Sequence, residues 1–179
     1  MHGEVFTIGY AGIKLPQFID VLKNNKINVL IDVRSVPRSQ YFYQFNDTNL
    51  SKILTEHNIK YLHLKNEFGA RQDNPEFYTN GILDYEKFAV SPQFQNGIYK
   101  IKNLTDSGQN VCLLCAEIDP INCHRAILCG KELHDNGLAV KHIIAKRDGT
   151  ICTETHKEFE NRLLRMGLTY KSQNLKIGV

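Results

Sequence analysis

Val111-Cys112-Leu113-Leu114-Cys115-Ala116-Glu117-Ile118-Asp119-Pro120-Ile121-Asn122-Cys123-His124-Arg125 is the stretch on which the reading of this chain turns. Residues 110–115 form an apolar run of strand length that stops at Cys115 and Glu117. A turn on Asp119-Pro120 follows. Cys123-His124-Arg125 then opens a helical pattern that runs to about residue 136 and stops at Gly137. A buried strand leading through a short loop into a helix belongs to a βαβ unit. In an open α/β sheet the loop at the carboxyl end of a strand is where ligands bind. A helix start at that place offers free backbone N–H groups to an anion.

The same alternation extends in both directions. Residues 4–8, 28–33, 60–64 and 139–145 read as further strands. Leu15, Phe18, Ile19 and Leu22 recur at helical spacing, with Pro16 suited to the first turn. Leu50, Ile53 and Leu54 mark a second helix, with Asn46 or Asp47 as its cap. Phe94, Ile98, Ile101 and Leu104 mark a third. Residues 154–166 are expected to form the last one, with Phe159, Leu163 and Met166 aligned, after a turn at Asp148-Gly149. The pattern predicts an α/β fold: three layers, a mostly parallel sheet, helices on both faces. Residues 1–150 are expected to form a single domain. Within it, residues 65–92, rich in Asn, Gly, Pro and aromatics, are too long for an ordinary βα loop and read as a lid-like insertion. Residues 151–179 read as a C-terminal helix and a polar tail.

The 179 residues suffice for one sizeable core, and 42% hydrophobic against 23% charged residues excludes a disordered chain. The net charge of +3 is too small to prove a nucleic-acid partner. Five cysteines, four of them within positions 112–129, do not resemble a secreted disulfide framework. Reduced thiols and a cytoplasmic location are expected, with no structural disulfide. No apolar run approaches the roughly 18–20 residues of a membrane helix, and the chain start has no signal-peptide character.

Strand ends collect the chemistry. Gly9 and Tyr10 follow the first strand, Asp32 and Arg34 close the second, His63 lies near the end of the third, and Cys115 and Glu117 close the fourth. Arg38, Lys65, Arg71 and Arg125 lie on loops of the same edge. Asp32 and Glu117 are candidate catalytic carboxylates, able to divide acid and nucleophile work or to hold a metal. Against this, Asp32 can serve simply to orient Arg34. Cys115 is a candidate thiolate nucleophile beside Arg125 and a helix start, or a small buried core residue. Its ten-residue separation from Arg125 does not match the rhodanese and phosphatase loop, in which Cys and Arg are six apart. Gly9, Tyr10, Arg34, Arg38, Cys123, His124 and Arg125 are candidate substrate-binding residues, with Arg125 as a bidentate partner for phosphate or carboxylate or as a structural partner of Glu117 or Asp119. Cys115, Cys123 and His124 are also possible metal ligands. The paired spacing of a zinc site is absent, because Cys112 and Cys115 lie on one strand and face opposite ways, so no metal is assigned. The aromatic run Tyr41, Phe42, Tyr43 and Phe45 after Arg38 suits base stacking or internal packing.

Thr7-Ile8-Gly9-Tyr10, Asp32-Val33-Arg34-Ser35-Val36-Pro37-Arg38-Ser39, Phe45-Asn46 and Cys115-Ala116-Glu117 through Cys123-His124-Arg125, in that order, resemble the bacterial and archaeal domain-of-unknown-function family number 488 over roughly residues 4–145. The resemblance implies a cytoplasmic Rossmann-like α/β domain and brings no assigned activity. Some members carry His-Ser after the first glycine where this chain has Tyr10-Ala11, so no imidazole or hydroxyl role passes to that position. Residues beyond about 150 lie outside the shared pattern.

Three functions compete. The leading one is an enzyme acting on a phosphate-bearing substrate, a nucleotide or nucleic acid, with Glu117 and Asp32 as reacting groups and Arg34, Arg38 and Arg125 holding the anion. The second is a thiol-dependent enzyme using Cys115. The third is a non-catalytic module binding an anionic small molecule or nucleic acid in the same pocket. The sequence names no cofactor and no oligomeric state.

Overall fold

A computed structural model describes residues 2–177. The chain alternates β1 (Val5–Gly9), α1 (Leu15–Asn24), β2 (Ile27–Asp32), α2 (Asp47–Glu56) and β3 (Lys60–His63). A short helical and hairpin segment follows: α3 (Lys65–Phe68), β4 (Tyr78–Thr79), β5 (Ile82–Leu83) and α4 (Tyr85–Ala89). Then come α5 (Pro92–Asp106), β6 (Asn110–Cys115), a π-helical segment (Arg125–Gly130) running into α6 (Lys131–Asp135), β7 (Val140–Ala145), β8 (Ile151–Thr155), α7 (His156–Arg165) and α8 (Tyr170–Ile177). The main sheet has the order β3-β2-β6-β1-β7-β8, parallel except for β8, which pairs antiparallel with β7. The expected α/β fold with a mostly parallel sheet is thus found. Among the described residues no helix is long and apolar enough to cross a membrane.

Alternation along the strands divides the core in two. Val29, Ile31, Val33, Val111, Leu113 and Cys115 face α5, the π-helical segment and α7. Leu30, Ile8, Cys112 and Leu114 face α1 and α2. Cys112 and Cys115 therefore pack into opposite layers, as the period of two requires. Both layers are sealed, which is why the central strands read as unbroken apolar runs.

Three segments differ from the sequence reading. Residues 151–155 form a strand, so the last helix, expected from residue 154, begins at His156. The β7–β8 hairpin turns at Gly149, whose φ of +87° suits a residue without Cβ. Ile151, Cys152 and Thr153 are exposed on this edge strand, so no hydrophobic alternation betrays it. The following helix starts with a capping box, in which Thr155 accepts from the Glu158 N–H and Glu158 accepts from the Thr155 N–H. Since β8 joins the main sheet, the boundary expected at residue 150 falls inside a hairpin. The expected tail is helix α8, and its side chains reach into the molecule: Gln173 is buried and donates to the Ile121 carbonyl, while Asn174 donates to that of Leu83. The last two residues of that expected tail lie outside the described residues. Finally, residues 65–92 carry five short elements, counting a 3-10 turn at Pro75–Phe77, and Phe68, Leu83, Tyr85 and Phe88 among them belong to the main core.

Candidate functional site

Strand β6 delivers Cys115 to the carboxyl edge between β1 and β2. Beyond it the chain runs over Gly9 so closely that a Cβ there would lie 1.6 Å from the Glu117 carbonyl oxygen. Gly9 is thus the floor of this loop. Asp119 closes the next turn by accepting from the Ile121 N–H (3.0 Å), and Arg162 of α7 clamps the same carboxylate with two bonds of 2.9 and 3.0 Å. Cys123 remains extended, with φ −140°, and His124 leads into the π-helical segment. Short π-helical pieces are rare and often lie at functional sites.

This loop brings four reactive groups together. Glu117 Oε2 lies 3.1 Å from Cys115 Sγ and 3.2 Å from Cys123 Sγ, within hydrogen-bond reach of both sulfurs. His124 Nδ1 lies 3.7 Å from Cys115 Sγ, and its Nε2 lies 3.1 Å from the Val33 carbonyl oxygen. A carbonyl can only accept, so Nε2 carries a proton and donates it, leaving Nδ1 turned toward the sulfurs. Cys115, Cys123 and His124 are buried, whereas Glu117 is exposed. Burial resists ionisation of Cys123 but is outweighed by the Cys115 thiol, the Arg125 charge and His124, which together hold Cys123 well below the ordinary thiol range. Cys115 is pushed well up by its hydrogen bond to Cys123 and by burial. Glu117 is exposed as a residue, but the end of its carboxyl is turned in against the two buried sulfurs, and desolvation there, then the Cys123 charge, raise it. Cys115, singled out in the sequence as the thiol, is therefore half of a pair whose more acidic member is Cys123.

The arginines have other employment. Arg125 is fully buried, donating from Nη1 to the Glu117 carbonyl (2.6 Å), from Nη2 to that of Ile118 (3.0 Å) and from Nε to Thr7 Oγ1 (3.3 Å). It braces the reactive loop from inside; its partners are carbonyls, not the carboxylates of Glu117 or Asp119. Asp32 is likewise fully buried. Its Oδ1 accepts from Arg34 Nε (2.8 Å) and its Oδ2 from Arg34 Nη2 and the Tyr61 hydroxyl (both 2.6 Å). Arg34 also donates to the Phe45 carbonyl (2.8 Å) and stacks over Tyr10, 5.1 Å from its ring centroid. Asp32, Glu117 and Arg125 do share the carboxyl edge, but Asp32 is fully buried there and orients Arg34. Tyr10 packs on Phe42 and Phe45, so half of the aromatic run is internal. Tyr41 and Tyr43 are 89% and 67% exposed, on the same loop as the exposed Arg38. His63 donates to the Arg34 carbonyl.

Several contributors escaped the sequence reading. The Tyr85 hydroxyl is buried without a hydrogen-bond partner among the described residues. It packs in the same core cluster as Cys115 and Cys123. Behind Arg125 runs a chain of hydrogen bonds: Thr7 Oγ1 to His142 Nδ1 (2.8 Å), His142 Nε2 to His156 Nδ1 (2.9 Å), His156 Nε2 to the Tyr170 hydroxyl (2.9 Å), and that hydroxyl to Glu160 (3.0 Å). Arg125 and Tyr170 are donors at the two ends, so every proton points toward Glu160 and both imidazoles are neutral with the proton on Nε2. The one visible signal was a histidine in the middle of an apolar strand.

This relay sets a pH dependence. Burial lowers His142 well below its ordinary value, and burial with the His134 charge lowers His156 to about 4. Both are neutral in the fold, while the unfolded chain takes up protons below about pH 6.5. Stability is therefore complete above that pH and falls as pH drops toward about 4. His156 alone is expected to remove roughly 3 kcal/mol across this window. Urea unfolding at stepped pH measures it, and His156→Gln should flatten the slope. An unchanged slope would assign the acid sensitivity to other groups.

Fold and site together define an open-sheet α/β protein with a thiol, imidazole and carboxylate centre at the carboxyl edge of its central strands. Residues 14–131 match the family model described as a domain of unknown function, DUF488, and the chain belongs to that family. The match includes Asp32, Arg34 and the whole loop from Cys115 to Arg125; β7, β8, α7 and α8 lie beyond it. No curated protein matches the sequence.

Proposed function

We propose that the chain is an enzyme acting on an anionic, base-bearing substrate, a nucleotide or a nucleic-acid strand, with the cluster of Cys115, Glu117, Cys123 and His124 as its reacting centre. The observation that carries this is the convergence of two thiols, an imidazole and a carboxylate on a loop braced by Arg125 and Arg162. Glu117 is the exposed member, so it is the group that meets substrate and transfers a proton. Arg34 and Arg125 are committed to protein partners, which leaves the anion to exposed cations. Arg38, loosely paired with Asp47 at 3.3 Å, shares the loop after β2 with the exposed rings of Tyr41 and Tyr43. A cation interleaved with free aromatic faces suits phosphate contact and base stacking.

The test is a turnover screen over nucleoside phosphates and single-stranded nucleic acids. Glu117→Gln is expected to lower kcat about a hundredfold with KM little changed, the scale of a lost proton-transfer group. The pair Arg38→Ala and Tyr41→Ala should raise KM and spare kcat. Tight binding with no turnover of any substrate would leave a binding module, and full activity in Glu117→Gln would remove the carboxylate from the mechanism.

A further inference from the structure

We propose that Cys115, Cys123 and His124 bind one zinc ion, with a fourth coordination position open beside Glu117. The inference deepens the reading of this cluster as the reacting centre and rests on it for the catalytic role of the ion. The sequence alone assigns no metal, because the three donors come from two elements and lack the paired spacing of a zinc ribbon. The fold closes that gap. The two sulfurs and His124 Nδ1 lie within 4.8 Å of one another. With Zn–S near 2.3 Å and Zn–N near 2.0 Å, tetrahedral ligand atoms sit about 3.5 Å apart, and Cys115 Sγ is 3.7 Å from His124 Nδ1.

Four further features fit an ion better than a bare dithiol. First, a metal-binding histidine usually gives its other ring N–H to a carbonyl or carboxylate, which fixes the tautomer. His124 does this with Val33. Second, both thiols converge on a single carboxylate oxygen. Zinc binding releases to solvent whatever protons the two sulfurs still hold and replaces the two sulfur–carboxylate contacts with Zn–S bonds. Third, the loop is held without the ion, by Arg125 on the carbonyls of Glu117 and Ile118, Arg162 on Asp119 and Gln173 on Ile121. The donors are thus positioned before metal arrives. Fourth, a buried polar group without a partner among the described residues, the Tyr85 hydroxyl, belongs to the core cluster that holds Cys115 and Cys123. Thiolate and imidazole donors select zinc over magnesium or calcium. Three protein ligands with one open position mark a catalytic site, since structural zinc sites are closed by four. Glu117, against both sulfurs, is placed to exchange a proton with a water in that position.

The experiment uses the full chain, purified without chelator. Elemental analysis is expected to find one zinc per chain. Cobalt(II) replacing it should give a thiolate-to-cobalt charge-transfer band in the near ultraviolet and intense tetrahedral bands in the visible. Cys123→Ser and His124→Gln should weaken zinc binding beyond the roughly 10–100-fold that outer-shell changes cost, while Cys152→Ser, exposed on β8, leaves the spectrum unchanged. Should the ligand variants fail to fold, the wild-type zinc content and cobalt spectrum decide alone. Substoichiometric zinc with no charge-transfer band in folded wild-type protein overturns the site. Metal-free turnover abolished by alkylating the thiols would overturn it while leaving the reacting centre in place. A full zinc complement with Glu117→Gln as active as wild type would instead support the metal site and end the catalytic reading.

Discussion

Arg125→Ala is expected to cost about 4 kcal/mol of folding stability, the sum of buried acceptors left without donors and the void that remains. Arg125 is the largest fully buried side chain among the described residues, and its guanidinium satisfies two backbone carbonyls and the Thr7 hydroxyl. Truncation orphans the carbonyls of Glu117 and Ile118 inside the protein, at roughly 1–3 kcal/mol each. The Thr7 end of the histidine relay loses its anchor as well. For a chain of this size the midpoint of thermal unfolding should fall by roughly 10 °C. Arg125→Lys keeps the charge but cannot span both carbonyls, so it should recover only part of the loss. Denaturant melts of both variants measure this. Because the loop carries Glu117, activity falls with it. A variant of wild-type stability whose nucleotide affinity dropped tenfold would make Arg125 an anion clamp after all, which is the role its place in the sequence suggests.

Asp32→Ala should be destabilising on a similar scale, about 3–5 kcal/mol, because it strands a buried guanidinium. The Asp32 and Arg34 side chains are 0% and 6% exposed and joined by two close bonds, with the Tyr61 hydroxyl on the same carboxylate. Removing both charges should be milder than removing one. The double variant Asp32→Ala with Arg34→Met is therefore expected to regain stability relative to Asp32→Ala, and a mutant cycle gives the coupling directly. Arg34, two residues past the end of β2, reaches the Phe45 carbonyl and lies over Tyr10, so the pair fixes the loop that carries Arg38, Tyr41 and Tyr43. Loss of the pair should raise KM through that loop. If Asp32→Ala proved fully stable yet inactive, Asp32 would return as a catalytic group.

The two carboxylates looked alike in sequence, each closing an apolar strand. Their environments separate them. Asp32 ends a strand flanked by β3 and β6 and has a cation two residues on with the reach to fold back. Glu117 lies two residues beyond its strand end, over Gly9, and stays exposed. Pairing of this kind depends on what the neighbouring strands supply, here Tyr61 from β3 and Phe45 from the following loop, and no spacing rule encodes it.

What the sequence by itself determined is the alternation of buried strands and amphipathic helices, the mostly parallel sheet and the edge at which Gly9, Asp32, Cys115, Glu117 and Cys123 gather. These follow from local periodicity, which survives in one dimension because each strand is sealed on both faces. Family membership was legible for the same reason, since the motifs sit at strand ends whose order along the chain is preserved. Only the tertiary structure decided the rest. It made an exposed run at residues 151–155 into an edge strand, because backbone pairing with β7 needs no apolar pattern. It turned a polar tail into a helix whose Gln173 holds the Cys123 loop, and it joined His142 and His156 across 14 residues. It brought Cys115, Cys123 and His124 within reach of one ion. Whether a guanidinium binds substrate or braces a loop, and whether a thiol is core or ligand, depends on partners and burial contributed by distant segments, and those exist only once the chain has closed on itself.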